Sequence, residues 1–207
     1  MSSAQFYVTG LIAAVATAFV PLTADAQTVP EGWFAAGGAP KEYRMTRSTE
    51  ARHNGEYGAS VVHESGTGQS FGTLMQAIQA NPFRGKRISF KAWLKTQSAD
   101  SAQLWLRIDD KERTFSMDNM DDRAVKGTTP WTEYAIVMDV PESANHLAFG
   151  VLLSGKGSVA IDEAQLEIVP PNTKLTTFYD YTKKAPQASF KSMGRVLDSA
   201  VNLSFEK

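Results

Sequence analysis

The sequence predicts an all-β fold, a two-sheet antiparallel β-sandwich, on three observations. Leu104, Leu106 and Ile108 alternate with Trp105, Arg107 and Asp109, so one face of that strand packs while the other carries an aromatic ring, a cation and an anion. Ile88, Phe90, Ala92 and Leu94 alternate in the same way with Ser89, Lys91, Trp93 and Lys95. Turns of Gly, Pro, Asn and Asp divide the chain into about eight or nine such short segments, the spacing of a sandwich rather than of a helical protein.

The chain opens on a segment outside this pattern. Val8 to Val20 carries no charge, Pro21 follows, and Ala24-Asp25-Ala26 has the small-x-small form that a signal peptidase needs. The run is too short to span a bilayer. No Lys or Arg precedes Lys41, so the amino terminus alone supplies the positive end. Residues 1–26 are therefore read as a cleaved export signal, with Gln27 the new terminus and an uncleaved anchor the alternative. After cleavage no membrane insertion is expected, and the location is periplasmic or secreted.

Residues 27–169 hold the sandwich. Val29 to Phe34 leads into the turn-rich Gly37-Gly38-Ala39-Pro40, with Trp33 and Phe34 covering one end of the fold. Short strands follow at Glu42 to Thr46 and Ala59 to His63, separated by a turn with Asn54-Gly55 at its heart. Ser65-Gly66-Thr67-Gly68 is a loop, because it lacks the strand-to-helix setting of a phosphate cradle. In Phe71 to Ala80, Leu74, Met75 and Ile78 would share a helical face, but Gly72, Thr73 and the stop at Asn81-Pro82 favour a strand, with a bulge.

Gln97 to Ser101 reads as a short polar loop that makes the Trp93 and Trp105 strands antiparallel neighbours. Asp109-Asp110-Lys111 turns into Glu112 to Met117, and Asp118 to Pro130 is the longest irregular loop. Trp131 to Val140 resumes alternation, and Leu147 to Leu153 is apolar on both faces. Val159 to Ile168 closes the sandwich, with a bulge at Asp162-Glu163 where the alternation slips. Residues 170–207 form a C-terminal extension: an extended crossing to Pro186, a short helix from Phe190 to Asn202 with Met193, Val196, Leu197 and Ala200 on one face, and a strand-like Val201 to Glu206.

Charge and composition exclude several functions. The formal net charge is −1, and removal of Asp25 with the leader brings it to 0, so there is no electrostatic footprint for nucleic acid. Cys is absent, which excludes disulfides, thiolate metal sites and Cys nucleophiles. His53, His63 and His146 stand apart, without helical metal-site spacing, and Ser154 lacks a nucleophile elbow. Adjacent acids such as Asp109/Asp110 and Asp121/Asp122 sit at hairpins, where they serve turns. No catalytic set emerges, and the chain is expected not to be an enzyme.

A binding site needs less. Trp93 and Trp105 would offer flat apolar plates, and Arg107, Gln76 and Asp109 directional hydrogen bonds, a mixture that suits a ring with apolar C–H faces and hydroxyl edges. Asn119 and Arg123, beside Asp118, either pin the long loop or reach the ligand.

Several motifs occur together and in order: Phe71-Gly72-Thr73-Leu74-Met75-Gln76, Arg84-Gly85-Lys86-Arg87, Leu104-Trp105-Leu106-Arg107, Asp118-Asn119-Met120, Gly127-Thr128-Thr129, Val140-Pro141 and Phe149-Gly150-Val151-Leu152-Leu153-Ser154-Gly155. From about Gly32 to Val169 the chain resembles a bacterial family of galactose-binding-like, carbohydrate-binding-module-like jelly-roll domains, found alone or attached to DNA-binding regulators, hydrolases or peptidases. The resemblance implies a jelly roll with an accessory, non-catalytic role. The family's last strand has an aromatic before its acidic pair, where this chain has Ala160, so the resemblance implies no stacking contact at that position.

Related sugar-binding sandwiches hold a structural calcium between an N-terminal Asn-x-x-Phe-Glu strand and an acid of the last strand. Here that pattern stands at the other end, as Asn202-Leu203-Ser204-Phe205-Glu206. The tail is expected either to return as an edge strand of the same sandwich or to be the remnant of a second module. Asp162, Glu163 and Glu206 would be the calcium ligands, against the reading of solvated carboxylates. The function expected is an exported module for a carbohydrate or similar polar small ligand. The alternative is an envelope protein-interaction or assembly domain.

Overall fold

The computed structural model describes residues 29–110, 114–176 and 195–207. The expected export signal, the turn at Lys111, the later part of the crossing segment and the first residues of the expected helix lie outside them. The strands are β1 (Phe34–Gly37), β2 (Tyr43–Ser48), β3 (Gly58–His63), β4 (Phe71–Gln79), β5 (Arg87–Asp109), β6 (Thr114–Asp118), β7 (Val125–Asp139), β8 (His146–Ser154), β9 (Ser158–Val169) and β10 (Val196–Leu197).

Strand β5 organises the molecule. Its first half, Arg87 to Gln97, pairs antiparallel with β9, and its second half, Ser101 to Asp109, pairs with β8. No hairpin loop interrupts it: the expected turn at Gln97–Ser101 is a corner at which one strand leaves one sheet and enters the other. Register shifts against β7 at Leu94/Thr96, Thr96/Ala99 and Ala99/Ala102 are where the strand bends. One layer therefore runs β2-β3-β9-β5-β7, and the other runs β1-β4-β8-β5-β6, with β10 beside β1 on the free edge of β4.

The layers face each other across one core. Leu104, Leu106 and Ile108 from the second half of β5 lie in it with Ile88, Phe90, Ala92 and Leu94 from the first half, as the alternation predicts. The rings of Phe90 and Phe149, from opposite layers, sit 4.9 Å apart. This sandwich, antiparallel in every strand pairing among the described residues but that of the short β10, is consistent with a jelly roll.

Three local expectations change. Strand β4 pairs with β8 in one unbroken register from Phe71 opposite Ser154 to Gln79 opposite His146, so it carries no bulge. Most of the expected loop at Asp118–Pro130 is strand: after a short turn at Asp121–Arg123, β7 begins at Val125 and follows β5 round its corner. Pro130 is tolerated because β7 is an edge strand whose outer N–H groups need no partner. The helix expected to reach Asn202 is absent from residues 195–207, where Val196–Leu197 instead pairs in parallel with Ala77 and Ile78. The bulge expected at Asp162-Glu163 is present: Lys91 faces Gln165 while Trp93 faces Asp162, and Glu163 takes a left-handed backbone with φ of 50°.

The tail docks on the sandwich mainly without strand pairing. Phe205 is fully buried beside Trp33, with ring centroids 4.8 Å apart, and Trp33 in turn meets Phe149 edge-on. The Gln76 side-chain amide bonds the Val201 backbone in both directions, donating to its carbonyl at 2.5 Å and accepting from its N–H at 3.2 Å. Trp33 Nε1 donates to the Asn202 carbonyl, and the Ala164 and Glu31 N–H groups donate to the carbonyls of Leu203 and Lys207.

Candidate functional site

Residues at odd positions of β4 and β5 and even positions of β8 face outward from the second layer, which places Met75, Ala77, Trp105, Ala148 and Leu152 in one cluster on its outer side. Gly150 stands opposite Trp105 in register, and a Cβ there would collide with the Leu74 carbonyl oxygen. The missing side chain clears β8. The Trp105 indole reaches across to β4, where Nε1 donates to Thr73 Oγ1 at 2.8 Å, and that hydroxyl donates on to the Val151 carbonyl at 2.9 Å. Phe34, Ala36, Met117 and Val196 close over the cluster, leaving Trp105 5% exposed.

Beside this cluster lies a cavity of about 380 Å³. Its apolar lining comes from Ala36, Phe71, Met75, Trp105, Met117 and Leu152, and its polar lining from Thr73, Gln103, Arg107, Asn119, Asp121 and Ser154. Gln103 Nε2 donates to Asp121 Oδ1 at 2.9 Å. Arg107 Nε donates to Asp109 Oδ2 at 2.9 Å, and the Asp109 side chain is fully buried, so the cation is compensated by the neighbouring carboxylate two residues along the strand. The arrangement can hold a molecule with one apolar face and several hydrogen-bonding edges, in the size range of small-ligand pockets.

Of the residues expected at the site, Trp105, Arg107 and Asn119 line the cavity, with Asp109 behind Arg107. Gln76 lies elsewhere, buried on the inner face of β4 and engaged by the tail. Arg123 donates to Asp118 Oδ2 at 2.7 Å; Asp118 also accepts from the Met120 N–H and the Thr176 hydroxyl, so this trio pins the turn after β6. Trp93 is on the other layer, because β5 changes sheets between the two indoles. They stand twelve residues apart in the chain, with the corner in β5 between them. Phe71, Gln103, Asp121 and Ser154 were not anticipated. The outward parity that Phe71 shares with Thr73 and Met75 was the signal available for it.

Trp93 has a different neighbour. The His53 imidazole stacks on it at 4.3 Å with planes 20° apart, and touches Trp131 at 5.2 Å. The three acids proposed as calcium ligands hold that same turn. Asp162 Oδ2 accepts from the N–H groups of His53 at 2.7 Å and Asn54 at 2.9 Å, and Oδ1 accepts from Glu163 N–H at 2.7 Å. Glu163 meets His53 Nδ1 and the Asn54 amide, and Glu206 Oε1 accepts from the Glu56 N–H. A cation would face a ring of N–H donors instead of the six to eight oxygens calcium takes. Asp162, Glu163 and Glu206 therefore do not fit calcium. Among the described residues no group of three or more His, Cys, Asp or Glu is placed to hold a metal ion.

Burial pushes the Asp162 carboxyl above its ordinary 3.8; the N–H bonds from Asn54, His53 and Glu163 oppose this, and the nearby Glu163 charge adds to it. A carboxyl raised on folding makes the native state bind its proton more readily than the unfolded chain does. Its contribution to stability is thus present below the ordinary value and lost as pH rises through the folded one. Asp162→Asn, which keeps one acceptor and turns an NH2 group toward an N–H, should destabilise by about 1–3 kcal/mol at neutral pH. Wild type should gain on the variant as pH is lowered from 7 toward 4 in urea melts; a difference that stays flat or shrinks refutes the assignment.

No family model matches the chain. Among curated proteins it is similar to an uncharacterized HTH-type transcriptional regulator, YbfP, of Bacillus subtilis (strain 168), at 33% identity over 183 residues, 86% of this chain. The chain spans 57% of the length of that relative. Among solved structures it is similar to the enzymatically active domain of bacteriophage CBA120 tailspike protein 4, with a TM-score of 0.53 at 12% identity, over 67% of this chain and 20% of that one. It is also similar to the CBM22-1 xylan-binding domain of Paenibacillus barcinonensis Xyn10C, with a TM-score of 0.49 at 16% identity, over 67% of this chain and 86% of that one. Among the described residues no helix is long and apolar enough to cross a membrane. At its level of identity, the likeness to the tailspike domain is one of fold alone.

Proposed function

We propose that this chain is a non-catalytic binding module that takes a carbohydrate or a similar polar small molecule on the outer face of the β4-β8-β5-β6 layer. The observation that carries the reading is the cavity of about 380 Å³ with an apolar floor and a rim of Gln103, Asn119, Asp121 and Ser154. Such a lining matches ligands whose rings are apolar on the face and polar at the edge. Calorimetric titration of the full chain with a saccharide panel tests it. A saturable response is expected for wild type and should be lost in Ser154→Trp, which fills the cavity mouth. Equal binding by both proteins would place the ligand elsewhere, and no response from any saccharide would remove the sugar reading.

The proposed setting is the periplasm or the exterior, resting on Val8 to Val20 and Ala24-Asp25-Ala26. A mature amino terminus well upstream of Gln27 would contradict it. A second reading comes from the similarity to an HTH-type regulator, which supports use of the same module as the sensing part of a regulator, where the bound ligand would be the input.

A further inference from the structure

Trp105 is the aromatic that the strand pattern singles out, yet it is ill placed to touch a ligand. The residue is 5% exposed, its N–H is taken by Thr73, and it belongs to a cluster against which side chains from β1, β6 and β10 pack. Phe71 is the reverse case. It is 38% exposed, the one aromatic ring among the large apolar side chains left exposed in the described residues, and it lines the same cavity. It stands at the end of β4 opposite Ser154, two strands from β5, with Gly38, which has no side chain, beside its ring edge.

The polar groups divide in the same way. Arg107 is committed to Asp109 and Gln103 to Asp121. The side chains of Asn119 and Ser154 make no hydrogen bond among the described residues, and one carboxylate oxygen of Asp121 is likewise unengaged. With Arg107 paired to Asp109, the charge left among the described residues that line the cavity is the negative one of Asp121. A carboxylate accepts from hydroxyl groups and repels another anion.

We infer that Phe71, not Trp105, is the surface on which the ligand's ring rests, with Asn119, Ser154 and Asp121 reading its hydroxyls, and that the cavity selects a neutral hydroxyl-rich ring over an acidic one. This rests on the binding reading above. A ring laid on an exposed phenyl face gains apolar contact that an alanine cannot supply, while tyrosine keeps the plate.

The test is calorimetry on the full chain with neutral oligosaccharides of galactose, glucose, xylose and mannose and with a galacturonate oligomer, using wild type, Phe71→Ala, Phe71→Tyr and Asp121→Asn. Because Phe71 is exposed, its variants should melt with wild type, so a change in affinity is not a change in folding. At least one neutral probe should bind wild type, about tenfold more weakly to Phe71→Ala and within about threefold to Phe71→Tyr. The galacturonate oligomer should bind more weakly than its neutral counterpart, and Asp121→Asn should narrow that gap. Unchanged affinity in Phe71→Ala would overturn the inference while leaving the binding reading in place. Preference for the galacturonate oligomer would overturn the selection, and wild type that binds no probe would take down reading and inference together.

Discussion

Phe205→Ala should lower stability by about 3–5 kcal/mol, the range for removing a buried aromatic ring, and at roughly 2–4 °C per kcal/mol for a chain of this size the melting temperature should fall by about 10 °C. The ring is fully buried against Trp33, which itself packs on Phe149 at the centre of the core. Phe205 adopts φ of 59°, a left-handed backbone that is strained for a bulky residue, and the strain persists because the ring fills the core. Around it the tail is fixed by Gln76 to Val201, Trp33 to Asn202 and Ala164 to Leu203. Val201→Ala is the internal control: its side chain is exposed, and its loss should change stability by less than about 1 kcal/mol. If Phe205→Ala melts with wild type in a thermal scan, the tail is not part of the cooperative unit.

The strands were legible because period-two alternation follows from one packed face, and Leu104, Leu106 and Ile108 had nowhere to go but the core. What alternation does not encode is which sheet a strand belongs to. Gln97 to Ser101 is polar enough for a turn, yet the chain keeps extended geometry there and bends through register shifts against β7. That single difference separates Trp93 from Trp105 and divides the expected site in two. Val125 to Pro130 was hidden for a related reason: its Gly127, its threonines and its proline have no apolar period, and the segment is extended because β5 offers it an edge.

Gln76 and the acids show a second limit. A polar side chain in a strand reads as outward and available, but Gln76 points inward, and its amide takes the place of a backbone partner for a segment 125 residues away. Asp162 and Glu163 read as cation ligands or solvated charges until the N–H groups of the 53–56 turn are seen converging on them. In both cases the missing fact is a long-range partner, and composition carries no trace of it. The outward parity of Phe71, by contrast, was present in the sequence and lacked a reason to be preferred over two tryptophans.

Trp105→Ala and Trp105→Phe should differ sharply, and the contrast fixes the role of this residue. Alanine removes the centre of the outer cluster formed with Met75, Ala77, Ala148 and Leu152, and should destabilise the fold by about 3–5 kcal/mol in equilibrium urea unfolding. Gly150 beneath the indole has no side chain to collapse into the space, so little of the loss is recovered by repacking. Phenylalanine keeps a ring over Gly150 and loses the N–H bond to Thr73. Because the Thr73 hydroxyl still donates to the Val151 carbonyl, no buried donor is orphaned, and the loss should be about 1–2 kcal/mol. A ring that is a floor and not a plate predicts that Trp105→Phe retains saccharide affinity within about threefold, since the surface it offers is 5% exposed. If Trp105→Ala unfolds within about 1 kcal/mol of wild type, or if Trp105→Phe abolishes binding while remaining folded, the indole meets the ligand directly and the assignment to the floor is wrong.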